Sequence, residues 1–318
     1  LVAQSLTIST NGETGSSGTN WSISGTTLTV TGTATIQASV IEEALTSGNL
    51  LIEGNTTNFD VAVSEDISVT TGGNDLTIAA DGNTGYVSFN NPISLSGPIS
   101  VYGGAIFLSE GLNTSGAVNG PDGDVLLKSS DYIVLNVGKS ITTNGGDVIL
   151  WSNSANVTSG ADNNEIWLQA DNTITTNGGK IVLAGGLDDG GNGGVAGDGI
   201  PDGFAYRGYN DYGAVGFVAG GGNPNTGNIT LNSGGGDILI RGQGYLTGVE
   251  SRADNLVINS GTGTVRIEGI AQDPSTETVD SQGIAFRGGN TTLTSANTTA
   301  DAITLIGTST SPSEYADG

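Results

Sequence analysis

A ten-residue string recurs almost unchanged in this chain, and recurrence at fixed spacing is the mark of a repeated supersecondary unit. Residues 141–150 read Ile-Thr-Thr-Asn-Gly-Gly-Asp-Val-Ile-Leu, and residues 174–183 read Ile-Thr-Thr-Asn-Gly-Gly-Lys-Ile-Val-Leu, an offset of 33 residues. Looser copies occupy 67–78, 99–108, 229–240 and 256–267. Each copy is a short apolar run, a Gly-rich turn and a second apolar run. Alternation such as Leu28-Thr-Val-Thr puts one face of a strand inward. The glycines supply the positive φ that a tight corner needs. Hairpins in a sandwich would also use such units. The regular spacing and the scarcity of aromatic residues, 5% of the chain, point instead to a β-solenoid whose narrow interior is filled by ladders of Ile, Val, Leu, Ala and Thr. The expected architecture is all-β, a parallel β-helix with Gly-rich turns and one loop insertion.

The boundaries follow from where the repeat holds. Residues 1–35 form an N-terminal β segment or cap, and 36–183 carry repeats. Residues 184–228 break the period with Gly-rich stretches and an aromatic cluster of Phe204, Tyr206, Tyr209, Tyr212 and Phe217, and read as a loop leaving the rod. Repeats resume over 229–318. The passage from Ile267 has an echo from Leu305, so the chain is expected to stop in mid-repeat and to invite pairing at that edge.

The units at 141–150 and at 44–52, Ala-Leu-Thr-Ser-Gly-Asn-Leu-Leu-Ile, resemble the repeats of filamentous-haemagglutinin-type exoproteins of Gram-negative bacteria. That resemblance, over residues 36–318, implies a secreted right-handed β-helix of the cell surface that acts as an adhesin.

Charge narrows the partners. Asp plus Glu number 32 against 8 Lys plus Arg, a formal net charge of −24, which disfavours nucleic acid and anionic lipid. Calcium is compatible with such a surface, because it takes carboxylate and carbonyl oxygens. Asp188, Asp189, Asp198 and Asp202 stand in an acidic, Gly-rich run whose Asp198-Gly-Ile-Pro-Asp202 core is similar to bacterial calcium-binding repeats, although Gly194 and Ala196 occupy places where those repeats carry Asp. Asn119, Asp122 and Asp124 make a second candidate. No apolar stretch is long enough for a membrane-spanning helix.

The chain has no Cys and no His, so disulfides, thiolate metal sites and the commonest nucleophile–base systems are absent. The eight basic residues form no constellation with the acids by spacing, and the expectation is a protein that is not an enzyme. The favoured function is a secreted structural or adhesive element of a surface fibre or extracellular filament, partnered by itself, end to end or laterally, or by adjoining repeats of a longer chain. The alternative is a carbohydrate-binding, less readily carbohydrate-cleaving, β-helix that uses Phe204, Tyr206, Tyr209 and Tyr212 as a sugar platform.

Overall fold

The computed structural model describes residues 4–54, 58–80, 85–115, 123–160, 163–208, 212–218, 227–272, 281–310 and 316–317. Strands dominate, in three sheets of 11, 8 and 14 strands. Antiparallel pairing is confined, among the described residues, to the N-terminal hairpins, to Asn163–Asn164 against Ala205–Arg207 and to a single Gly185–Gly203 bridge. The all-β, parallel-strand expectation therefore holds.

From Phe59 the chain visits the three sheets in rotation. Phe59–Val63 lies in the first, Ile67–Val69 in the second and Leu76–Ala79 in the third. Tyr86–Phe89 then returns to the first, parallel to Phe59–Val63. The same order repeats through Ile303–Ser309 in the third sheet. Like residues stack on like. On the second sheet Ile67, Ile93, Leu112, Ile141, Ile174, Leu231 and Ile258 are successive in-register partners, and all are buried. The 33-residue sequence offset is thus a register statement: Ile141 pairs with Ile174, and Val148 with Ile181. β-branched residues suit this pleated, enclosed surface.

The repeat's turn makes the corner between the second and third sheets, and its residues divide the work. Gly145 and Gly178 adopt positive φ, 98° and 128°. Gly146, Gly179, Gly236 and Gly263 are needed for a different reason. A β-carbon on each would meet backbone of the preceding layer at 2.1–2.5 Å, so these glycines stack as a column. Beside them runs a column of buried hydroxyls. Thr143, Thr176, Ser233 and Ser260 each donate to the carbonyl three residues on, at 2.5–2.8 Å. The copy at 99–108 turns a different corner, from Ile99–Gly103 in the third sheet to Ala105–Leu108 in the first.

Two expected boundaries move. Residues 36–49 do not begin the strand array, because Ala38–Ser47 is a helix that buries Ala38, Val40, Ile41 and Leu45. The run Glu42-Glu43-Ala44-Leu45, all good helix formers, favours a helix there over a strand. Glu65 accepts from the Ala38 N–H and so caps the helix start. The 184–228 span is not one excursion either. Ala205–Arg207 joins the third sheet beside Ile238–Gly244, and Val215–Val218 is a first-sheet strand with Phe217 in the core.

Candidate functional site

The outer surface departs most from plain repeat geometry where residues 186–204 fold over the third sheet. Arg241 holds this loop down. Its side chain is buried, its Nε donates to Glu268 Oε2 at 2.8 Å, and its Nη1 and Nη2 donate to the carbonyls of Asp202 and Asn192, both at 3.0 Å. Glu268 stands beside Arg241 on the next layer and also accepts from Arg266. From below, Trp151 Nε1 donates to the Gly186 carbonyl at 2.8 Å, and Asn153 Nδ2 donates to the Phe204 carbonyl at 3.1 Å.

The four candidate calcium ligands are turned to backbone donors of the same loop. Asp188 accepts from the Gly197 and Gly199 N–H groups, Asp189 from Gly191, Asp198 from Ile200 and Asp202 from Gly190. Gly194 is glycine because the Asp202 carboxylate fills the space a side chain would take. Among the described residues no three Asp or Glu side chains converge on a common point. Of the second candidate, Asn119 and Asp122 lie outside the described residues, and Asp124 accepts from the Asp147 N–H.

The three described aromatic candidates do not form one platform. Phe204 lies at the loop's end beside Arg266 and Ile306. Tyr206 is buried, with its hydroxyl donating to the Gly160 carbonyl. Tyr209 is outside the described residues. Tyr212 stands edge-on to Trp167 over the first sheet, centroids 5.5 Å apart, with the Arg252 guanidinium 4.5 Å from its own centroid.

That first-sheet cluster contains a buried ion pair, Arg207 Nη1 to Glu165 Oε1 at 3.0 Å. Glu165 Oε2, Arg207 Nε and Trp167 Nε1 are buried and have no hydrogen-bond partner among the described residues. Burial pushes the Glu165 carboxyl up to about 7, against the pull of Arg207. A separate aromatic stack, Tyr86, Phe107 and Tyr132, lies on earlier layers of the same sheet.

The loop and the third sheet enclose a cleft of ≈ 410 Å³. Val182 and Leu239 form its floor, Val195 and Ile200 its wall, and Lys180, Arg266, Asp198 and Asp237 bring charge to it. A neighbouring cavity of ≈ 260 Å³ shares Asn192 and Arg266 with it. Reading by repeats did not single out Arg241, Glu268, Lys180 or Arg266. The available signal was a charge in a repeat slot: Arg241 and Glu268 precede Gly242 and Gly269 just as Ile306 precedes Gly307.

Compared with known proteins, the chain matches no family model, no curated protein and no solved structure at a significant level. The site is therefore read from its own geometry.

Proposed function

We propose that this chain is a rod-forming segment, a right-handed parallel β-helix of three faces per turn, that serves outside the cell as a structural or adhesive element of a surface fibre. The observation that carries the reading is the repeated rotation through three sheets of mainly parallel strands, with apolar residues of similar kind in register. Side-chain ladders on the surface support it. Asn255 Nδ2 donates to Asn228 Oδ1 at 2.6 Å, and Asn290 Nδ2 donates to Asn255 Oδ1 at 3.1 Å. Most carboxylates that bond backbone reach the neighbouring layer, as Asp147 does to the Lys180 N–H and Asp237 to the Thr264 N–H. This gives those acidic residues a structural task. Secretion and the adhesin role rest on the resemblance of the repeat residues to filamentous-haemagglutinin-type exoproteins.

Electron microscopy of the purified chain tests the reading. An 11-strand ladder at about 4.8 Å per strand spans about 48 Å, so rods of at least that length are expected, single or joined end to end. Compact, isotropic particles would overturn it.

A further inference from the structure

We propose that the cleft between residues 192–202 and the outer face of the third sheet binds a neutral oligosaccharide. Three observations point to that ligand class. The first is a held enclosure: Arg241 ties the Asn192 and Asp202 carbonyls to the sheet, so the overhang is part of the fold. The cleft and its neighbour, ≈ 410 and ≈ 260 Å³, lie side by side along the layers and suit a short chain of rings.

The second is the mixture of surfaces. Leu239 and Ile200, half-buried over the buried Val182, offer aliphatic area to the C–H faces of a sugar. Around them stand groups with spare hydrogen-bonding capacity. Lys180 makes no side-chain hydrogen bond or ion pair among the described residues, although its backbone N–H is held by Asp147. Among the described residues Asp198 engages only its Oδ1, with Ile200, and Asp237 only its Oδ1, with Thr264. Arg266 is 42% exposed beyond its pair with Glu268. Donors and acceptors thus interleave over an apolar floor, which matches vicinal hydroxyls that donate and accept at once.

The third is charge. The chain as a whole carries −24, a field that repels polyanions. Three of its 8 basic residues, Lys180, Arg241 and Arg266, line this one cleft and nearly balance Asp198, Asp202 and Asp237 there, with Glu268 in the adjoining cavity. A balanced local field within an acidic molecule favours an uncharged polyol over a uronate or sulfated chain.

The inference gives the adhesive side of the proposed function a ligand class, and rests on that reading only for the accessibility of this face. Rods without saccharide binding would defeat this inference alone, and saccharide binding without rods would defeat the other alone. The test is an array of neutral, uronate and sulfated oligosaccharides probed with the full chain, followed by calorimetry on the best binder. Leu239→Trp, which fills the cleft from an outward-facing position, is expected to abolish binding. Lys180→Ala is expected to weaken it about tenfold, or about 1.4 kcal/mol. Lys139→Ala, on a surface pair with Glu110, leaves it unchanged. Unchanged circular dichroism and melting for each variant separates loss of binding from loss of fold. Binding of no neutral oligosaccharide, preference for acidic ones, retention by Leu239→Trp, or loss only on Phe107→Ala in the first-sheet aromatic stack would each overturn the proposal.

Discussion

Gly179 has no room for a β-carbon, because the Gly146 carbonyl oxygen would lie 2.1 Å from it, and that oxygen belongs to backbone locked in the layer beneath. Gly179→Ala therefore separates two layers and is expected to cost about 1–3 kcal/mol, read as a fall in the urea midpoint. Gly138 makes the contrast. Its φ is 75° and nothing lies within 4 Å, so Gly138→Asn, a residue that tolerates the left-handed region, should be nearly silent. Glu165 supplies a pH signature at the same scale. Its folded-state carboxyl titrates at about 7 against an ordinary 4.5, so the folded chain binds a proton more readily than the unfolded one. Stability from this group is complete below the ordinary value and is lost as pH rises through 7, a difference of about 3 kcal/mol. The chain should melt higher at pH 5.5 than at pH 8. Glu165→Gln should flatten that dependence, at a stability cost at all pH values because Arg207 is left buried without its partner, and an unchanged pH slope in the variant would refute the assignment.

At the scale of elements, one buried guanidinium holds the loop at Asn192 and Asp202, between the anchors that Trp151 and Asn153 give its ends. Arg241→Met removes three anchoring hydrogen bonds and leaves Glu268 with Arg266 alone, a change that costs about 3–5 kcal/mol for a buried pair. Limited proteolysis should then cut within 187–203 first. Adding Glu268→Met should restore much of the melting temperature without restoring protease resistance, because the carboxylate no longer needs a partner while the loop still lacks its anchors. Elements of this kind explain what could and could not be read in advance. Strands, corners and register were legible because a parallel stack repeats its residues, as Ile141 and Ile174 do. The helix Ala38–Ser47 was not. Its apolar positions, Ala38, Ile41 and Leu45, have helical spacing, but they sit beside a Gly-Asn turn and a Leu-Leu-Ile strand that fit the repeat. The strands Ala205–Arg207 and Val215–Val218 were hidden by the aromatic residues around them. The acidic loop was located, but its carboxylates serve backbone N–H groups, a role that Asp in a Gly-rich run shares in sequence with metal ligation.

Over the whole molecule, each layer contacts mainly the layers above and below, so opening free energies should vary along the stack rather than take one value. The two extremes differ. Near the N-terminal side the helix and the Trp21–Ser24/Thr27–Val30 hairpin pack on the first layers, and Trp21, Leu28 and Val30 are buried. In the layer of Ile303–Ser309 the strand pairs, among the described residues, only with Val265–Ala271, and Ile303, Leu305 and Ile306 are 40%, 48% and 41% exposed. Hydrogen exchange should therefore be fastest in 290–309, slowest through the central layers between Ile133 and Ile240, and intermediate under the helix. Concentration adds a second reading to the same experiment. If this apolar layer is covered by another copy, the amides of 303–309 should slow as protein concentration rises while those of 133–152 stay constant. Salt should strengthen the effect, since screening a net charge of −24 lowers the repulsion between copies. Exchange in 303–309 that is independent of both concentration and salt would remove self-association through this layer, while leaving the gradient of protection along the stack intact.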